Sequence, residues 1–290
     1  MKSKLFVVLT VFSALVSFGC SEADPDAPEA SEPGTEPQVL RLGPAHDTII
    51  EAAGVGFRMV FVPGGTFSMG ASPLPDGQAF DPEADPMEQP VHQVTLDPFL
   101  ICEHEVMQFL YYAVMGSNPS DPKDLEKPVN KLDFNKAQTF IDSLSRLTGF
   151  RFRMPTEAEW EYAAKGAAWQ SPPSRYAGSD DPSAVGWYET NSNATLQRVA
   201  QLQPNALGLY DMSGNVMEWC SDWYGEYSAD PQLNPQGASK PEYPNLQRHA
   251  IRGGSFLKAP RYMRNTARYF LLPSESEPDM GLRLALSVAP

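Results

Sequence analysis

Short runs of alternating apolar and polar residues predict β-strands in the first part of the folded region. Residues 59–63 form an apolar run, a Gly-Gly pair follows, and residues 66–69 form a second run. Because two such runs joined by glycines are typical of a hairpin, we predict a tight β-hairpin here. Residues 92–96 alternate with period two, which predicts another half-buried strand with His92 and Val94 on one face.

Three later segments carry the apolar spacing of amphipathic helices. The first spans residues 105–115 and the second spans residues 136–147. The third begins after Thr156, which forms a capping-box pattern with Glu159, and it ends near Gly166. We interpret the acidic residues of this third segment as capping and helix-dipole residues. The apolar positions predicted to face the core are Met107, Leu110, Tyr111, Val114, Ala137, Phe140, Ile141, Leu144, Trp160, Ala163 and Ala164.

The N-terminal segment has the pattern of an export signal. Lys2 and Lys4 precede an apolar run over residues 5–18, which is too short to cross a bilayer stably, and Cys20 follows a glycine. We predict a signal peptide over residues 1–19 and a lipid attached to Cys20, as at a bacterial lipoprotein processing site. Simple secretion and a coincidental cysteine are the alternatives.

Residues 20–40 have the composition of a disordered tether. Residues 21–38 contain six acidic and no basic side chains, with many prolines and no aromatic residue. Such a segment cannot bury enough apolar surface to fold. Together with Cys20 it predicts a protein of the bacterial cell envelope, held by its lipid at the outer membrane or cell surface, with a folded domain over residues 41–290. A secreted or periplasmic protein is the alternative.

Composition and charge narrow the fold and exclude one class of partner. The 290-residue chain contains 28 prolines and 21 glycines, and 42% of its residues are hydrophobic. These values favour one loop-rich α+β domain with short strands and about three helices. The formal net charge is −14. Nucleic acid is therefore not an expected partner, because phosphate binding requires clustered Lys and Arg side chains.

Four motifs are more specific than any periodicity. They read GGTFSMG at residues 64–70, RMPTEAEWEYAA at 153–164, NALGLYDMSGNVMEWCSDWY at 205–224 and RGGS at 252–255. With these motifs, the chain resembles the formylglycine-generating enzyme, or sulfatase-modifying factor, family over about residues 57–286. The resemblance implies the family's C-type-lectin-like fold.

The resemblance also exposes a change in the chemistry. The oxidases of this family are understood to hold Cu(I) with two cysteines that follow the RGGS motif. Lys258 and Met263 occupy those positions here. A lysine brings positive charge to a cation site, and a methionine is at best a weak thioether ligand. We therefore do not expect copper as a cofactor.

A family calcium site is the other cofactor that the resemblance implies. Its ligands would be the side chains of Asp211 and Glu218 and the backbone carbonyls of Gly214 and Val216. All are hard oxygen donors, which Ca²⁺ prefers. The alternative is that the two carboxylates bond the backbone amides of the turn and a nearby arginine.

The resemblance further places a functional cleft between the third motif and the segment after RGGS. Met217, which replaces the tryptophan common in the family, would line this cleft. The other lining residues would be Ser255, Lys258, Tyr262 and Met263. We interpret the four arginines of the C-terminal region as ion-pair partners for buried carboxylates, with an anionic ligand as the alternative. These arginines are Arg252, Arg264, Arg268 and Arg283.

Two functions remain, and they belong to different classes. The first is an exported lipoprotein that uses this domain to bind a protein or small-molecule ligand, or to assemble a surface or secretion complex. The second is an oxidoreductase or maturation factor that acts on a cysteine of exported sulfatases through a non-standard metal site. The missing thiols favour binding over catalysis, because a fold alone does not confer an activity.

Overall fold

Small curled β-sheets joined by long loops organise this protein. The computed structural model describes residues 7–9, 46–71, 83–167, 174–238 and 247–288. Within these residues the strands are, in chain order, β1 (Val7–Leu9), β2 (Thr48–Ala52), β3 (Val55–Val62), β4 (Gly65–Met69), β5 (His92–Leu96), β6 (Phe99–Cys102), β7 (Phe152–Arg153), β8 (Gly186–Trp187), β9 (Ser213–Gly214), β10 (Met217–Trp223), β11 (Gln232–Leu233), β12 (His249–Arg252), β13 (Tyr269–Leu271), β14 (Met280–Gly281) and β15 (Ala285–Ser287).

The largest sheet joins strands from distant parts of the chain. Its order is β1-β2-β3-β6-β15-β7, and β15 pairs antiparallel with both β6 and β7. A four-stranded sheet has the order β13-β12-β10-β14, and a three-stranded sheet has the order β11-β5-β4. The pair β8-β9 completes the described strands. This mixture of short strands and few helices confirms the predicted α+β, loop-rich architecture.

The predicted hairpin between residues 59–63 and 66–69 is wrong. Strand β3 pairs with β2 and β6 in the large sheet, whereas β4 pairs with β5 in the three-stranded sheet. The chain changes sheets at Gly64, where a Cβ atom would lie 2.6 Å from the carbonyl oxygen of Leu96. The glycine thus permits close backbone contact between the sheets instead of a tight turn. His92 and Val94 are both buried, as predicted.

Four α-helices lie within the described residues: α1 (Gln108–Met115), α2 (Phe134–Thr148), α3 (Glu157–Ala164) and the single turn α4 (Pro182–Val185). Short 3₁₀ helices span Pro86–Glu88 and Pro260–Met263. The first predicted helix began too early. The N-cap Met107 is extended, and the Val106 N–H and carbonyl bond Leu282 and Val129 outside the helix. The capping box of α3 is confirmed, with Thr156 and Glu159 bonded reciprocally.

Two large apolar clusters form the core. One packs α1 and α2 against the large sheet and contains Trp219 of β10. The other surrounds α3 and contains Trp160. Strand β10 contributes residues to both clusters, with Trp219 in the first and Cys220 in the second. The third sequence motif therefore lies at the centre of the domain.

Most of the residues in the predicted signal peptide and tether lie outside the described part of the chain. Strand β1 lies inside the predicted signal peptide and pairs in parallel with β2. Cys20 and the rest of the predicted tether over residues 20–40 lie outside the described residues. Within the part of the chain that is described, no helix has both the length and the apolar character needed to span a bilayer. The lipid anchor stays a prediction.

Candidate functional site

The loop before β10 is held by backbone contacts that its sequence makes possible. Asp211, Gly214 and Asn215 all have positive φ angles, which glycine, Asn and Asp adopt more readily than other residues. A Cβ atom at Gly214 would lie 2.3 Å from the carbonyl oxygen of Trp187. The Asn215 carbonyl accepts from the Phe256 N–H at 2.9 Å. This contact joins the loop to the segment that follows the RGGS motif.

Met263 fills a slot walled by three glycines. Added Cβ atoms at Gly186, Gly214 and Gly254 would lie 3.1, 2.9 and 2.8 Å from the Met263 side chain, respectively. Met263 has no exposed surface and packs with Tyr176 and Val185. Its thioether therefore occupies a close-packed interior position at one of the two places where the family's oxidases carry a thiol.

The remaining residues of the predicted cleft differ in burial and in their contacts. Met217 belongs to the core cluster that packs against the large sheet, whereas Met263 belongs to a different apolar cluster. Ser255 is fully buried, and its hydroxyl donates to Asp279 at 2.5 Å. Lys258 and Tyr262 are half-buried. Met217, Ser255 and Met263 are therefore packed or hydrogen-bonded inside the domain, and Lys258 and Tyr262 are the members of the predicted set with more exposed surface.

A buried network of arginines and glutamates holds α3 against β12. Arg252 donates from Nε to Glu157 at 3.0 Å and from Nη2 to Glu161 at 2.6 Å. Arg268 donates from Nε and Nη2 to the two oxygens of Glu157 at 2.8 and 2.7 Å. Lys165 is a second cation beside Glu161, and these cations hold the pKa of Glu161 at about 2 despite its burial.

Two further arginines confirm the ion-pair prediction. Arg264 donates to both oxygens of Glu88 at 2.8 and 2.5 Å. Arg283 donates from Nε and Nη2 to Glu218 at 3.0 and 2.8 Å, and Trp160 Nε1 donates to the same carboxylate at 2.7 Å. All four C-terminal arginines thus have buried carboxylate partners. The positively charged guanidinium groups are already engaged by these carboxylates.

The two carboxylates of the predicted calcium site differ in the hydrogen bonds that they already accept. The Glu218 carboxylate is engaged by Arg283 and Trp160. The Val216 N–H donates to Glu105 at 3.3 Å, a bond that does not involve the carbonyl predicted as a ligand. Asp211 differs, because only its Oδ2 has a partner, the Ala200 N–H at 2.7 Å. Its Oδ1 is buried with no hydrogen-bond partner.

Glu105 lies beside Asp211 and forms an unneutralised acidic pair with it. Glu105 is fully buried. Burial and the neighbouring Asp211 raise the pKa of Glu105 well above its usual range. Burial likewise raises the pKa of Asp211 to about 6. Two adjacent buried carboxylates and an orphaned oxygen fit a hard cation. Sequence reasoning missed Glu105 because it assigned this residue to the first turn of α1.

The described residues contain no group of three or more His, Cys, Asp or Glu side chains arranged to hold a metal ion. A site at Asp211 would therefore need backbone or amide oxygens as well. The two domain cysteines, Cys102 and Cys220, are free and buried. Burial raises the pKa of Cys102 to about 11, which keeps it a neutral thiol at neutral pH.

A cavity of about 220 Å³ lies elsewhere, at the C-terminal end of β10. Its walls include His92 from β5, Glu157 from α3, and Asp222 and Trp223 from β10. Asp222 is nearly fully buried. Burial and the nearby Glu157 raise the pKa of Asp222 to about 7. This cavity was not predicted from the sequence, because its walls come from five separate parts of the chain.

Comparison with known proteins places this architecture in a family. Residues 50–288 match the Sulfatase-modifying factor enzyme 1-like domain. Chaperone protein LppX of Paenibacillus barcinonensis is 30% identical over 250 residues, which cover 67% of this chain and 82% of that protein. A formylglycine-generating enzyme of Thermomonospora curvata is 28% identical over 294 residues, covering 78% of this chain and 92% of the enzyme.

A solved structure agrees with the sequence matches. Treponema denticola variable protein 1 superimposes with a TM-score of 0.71 and 26% identity, covering 83% of this chain and 98% of that protein. The fold, the four motifs and the matched range all agree. The chain therefore belongs to the sulfatase-modifying factor enzyme 1-like family.

Proposed function

We propose that this protein is an exported lipoprotein whose sulfatase-modifying factor-like domain binds a partner instead of oxidising cysteine. The single observation that carries the proposal is Met263, which fills the slot between Gly186, Gly214 and Gly254. Cu(I) favours soft sulfur ligands, and the resemblance implies a pair of thiolates for it. Lys258 supplies a cation and Met263 a buried neutral thioether, so these two positions do not provide that thiolate pair.

The surface next to the filled slot has the composition of a protein contact surface. Arg261 stacks over Tyr262 with 4.6 Å from its guanidinium carbon to the ring centroid. The Tyr262 ring lies 5.2 Å from the Tyr269 ring. Tyrosine and arginine are enriched at interfaces because they combine a rigid apolar body with polar atoms.

This aromatic and basic surface defines the kind of partner we expect. We define this surface by Lys258, Arg261, Tyr262 and Tyr269. Arg261 is exposed and the other three side chains are half-buried, so the surface offers both apolar area and positive charge. An acidic segment of a partner protein in the cell envelope would complement it. The similarity to a protein named as a chaperone, LppX, supports a role in binding other proteins.

The decisive experiment compares the protein with a variant that restores both thiols. Purified wild-type protein and the Lys258→Cys/Met263→Cys double variant would be titrated with Cu(I), with oxygen consumption followed in the presence of a cysteine-containing sulfatase-motif peptide. We expect Cu(I) binding in the double variant and none in the wild type. Tight Cu(I) binding with peptide-dependent oxygen uptake by the wild type would instead establish the alternative, an oxidoreductase or maturation factor with a non-standard metal site.

The lipid anchor needs its own test. Cells expressing the wild type or Cys20→Ala would be labelled with a radioactive fatty acid and then fractionated. We expect label and membrane association in the wild type and loss of both in Cys20→Ala. Unlabelled wild-type protein in the soluble fraction would support simple secretion or a periplasmic location.

Calcium is the cofactor that the acidic pair would hold. Asp211, through its orphaned Oδ1, and the adjacent Glu105 are the side chains best suited to it, because Glu218 is already engaged by Arg283. A bound Ca²⁺ would neutralise the buried carboxylates and so stabilise the loop before β10. Its role here would be structural.

A further inference from the structure

The cavity at the end of β10 is separate from the slot that Met263 fills. Its volume is about 220 Å³. Met69 and Ala158 contribute apolar wall, and Trp223 and Tyr227 contribute aromatic wall. A small organic group with a short alkyl stem fits a space of this size and character.

Asp222 provides the cavity with a carboxylate oxygen that the protein leaves unused. Its Oδ2 accepts from the Glu157 N–H at 2.9 Å and from the Ser221 hydroxyl at 3.0 Å. No hydrogen bond from a described residue reaches Oδ1, although Asp222 as a whole is only 2% exposed. A buried carboxylate that lines a cavity with one open oxygen is an acceptor for a donor group of a ligand.

The positive charge in the wall is already neutralised. Arg268 donates to both oxygens of Glu157 and to the carbonyls of Met87 and Gly225, and it stacks on Tyr227 at 3.8 Å. These contacts engage Nε, Nη1 and Nη2. Among the described lining residues no free cation remains for an anionic ligand, and the carboxylate of Asp222 accepts no hydrogen bond from a cation there.

His92 adds a second acceptor. Its Nδ1 lies 3.1 Å from the carbonyl oxygen of Pro90, which can only accept, so Nδ1 carries the proton in the neutral ring. Nε2 is then an acceptor. The His92 ring packs edge-on against Tyr227 at 4.9 Å. Acceptors combined with aromatic faces are the usual surroundings of a bound ammonium group.

We propose that this cavity binds a primary ammonium group on an alkyl stem, with Asp222 as its counter-ion and His92 as a further acceptor. The group could belong to a free small amine or to a lysine side chain of a partner. The site does not depend on whether the protein binds copper, because it shares no residue with the Met263 slot.

A comparison of ligand charge tests the proposal without any mutation. The full chain in mild detergent would be titrated with pentylamine, 1-pentanol and pentanoate, with binding followed by calorimetry. We expect the amine to bind at least about tenfold more tightly than the alcohol, since an ion pair replaces a neutral contact. Equal affinity for amine and alcohol, or tighter binding of pentanoate, would overturn the proposal.

A variant then assigns the binding to this cavity. Asp222→Asn preserves the acceptor for the Glu157 N–H but removes the charge, so we expect about a tenfold loss of amine affinity. Glu277→Gln, an exposed carboxylate away from the cavity, is the matched control and should bind like the wild type. Unchanged amine binding by a folded Asp222→Asn protein would place the amine elsewhere and reject the site.

The pH dependence offers a readout that a purely structural role would not produce. A bound ammonium favours ionised Asp222, so amine affinity should rise with pH up to about 7, where this carboxylate titrates. Affinity that is flat between pH 5 and 8 would contradict an ion pair with Asp222. The other titratable or charged groups around it are Glu157, Glu159, Arg268, Cys220, His249, His92 and Glu226.

Peptide ligands distinguish the two sources of the ammonium group. A lysine-containing peptide and the same peptide acetylated at the lysine would be titrated beside pentylamine. If the unmodified peptide binds and the acetylated peptide does not, a lysine side chain is the ligand group. Binding of pentylamine but of neither peptide would identify a free small amine. Absence of binding by all three would reject the ammonium site.

Discussion

Two buried clusters of charge in this protein are built on opposite principles. Around α3, two glutamates are matched by Arg252, Arg268 and Lys165, and every carboxylate oxygen of Glu157 and Glu161 accepts a hydrogen bond from a described residue. At the loop before β10, Glu105 and Asp211 lie near a single arginine, Arg283, that Glu218 already engages.

The contrast separates structure from ligand binding. A matched network holds elements together and needs nothing from solution, whereas unmatched buried carboxylates must stay protonated or acquire a cation. The first cluster therefore fixes α3 against β12. The second has the properties of a binding position, and the following predictions test this distinction.

Breaking the matched network should have the largest effect. Arg252→Met leaves Glu157 and Glu161 buried with fewer partners, so we expect the free energy of unfolding to fall by about 3–5 kcal/mol in chemical denaturation. Arg198→Met is the control, because this arginine forms exposed pairs with Asp124 and Glu126 and should cost no more than about 1 kcal/mol. Equal losses in the two variants would remove the distinction between matched and exposed pairs.

Acid should affect the two clusters in opposite directions. The folded-state pKa of Asp211 is raised from 3.8 to about 6, so the folded protein binds more protons in this interval and gains stability as pH falls from about 6 to 4. The gain is on the order of 3 kcal/mol. Glu161 has its pKa lowered from 4.5 to about 2, so its contribution is lost as pH falls below about 4.5.

Asp211→Asn should remove the first of these pH effects and leave the second. Asn tolerates the positive φ of 54° at this position and can still accept from the Ala200 N–H. Unfolding free energies measured from pH 3 to 8 in chelator provide the check. If the free energy of unfolding of the wild type rises steadily from pH 4 to 7 and Asp211→Asn does not alter this profile, the pKa of Asp211 is not raised in the folded protein.

Calcium binding should stabilise the wild type slightly less than the protonation of Asp211 does. At a concentration of about 100 times its Kd, a ligand specific for the folded state adds about 2.7 kcal/mol. We expect Ca²⁺ to raise the thermal midpoint of the wild type and to have no effect on Asp211→Asn or Glu105→Gln. Glu218→Ala should lower the midpoint even in chelator, because it leaves Arg283 buried without its carboxylate. A calcium response in Asp211→Asn equal to that of the wild type would exclude the acidic pair as the site.

The sequence predicted the parts of this protein that depend on local pattern. The capping box of α3 needs only Thr156 and Glu159, and the apolar stripe of α2 needs only helical spacing. The hairpin prediction failed because Gly64 and its neighbours look the same in a turn as in a crossing between sheets. Glu105 and Asp222 gave no local signal, since Val216 and Glu157, whose N–H groups they accept from, lie more than 60 positions away in the chain.

Residue types alone also could not show how Met263 is placed. The absence of a thiol is visible in the sequence, but the three glycines that enclose the thioether belong to segments around residues 186, 214 and 254. The resemblance to a family identified the position, and the structure showed that the replacement is tightly packed. Likewise, the resemblance suggested Glu218 as a calcium ligand, whereas its bonds to Arg283 and Trp160 depend on tertiary contacts.

The position of β15 has a consequence for when the domain can form. Residues 285–287 lie between β6 and β7, so the largest sheet remains in two pieces until this segment has been made and has inserted. Long-range strand pairing of this kind folds slowly. A nascent chain of this protein therefore cannot complete its largest sheet before residues 285–287 have been synthesised.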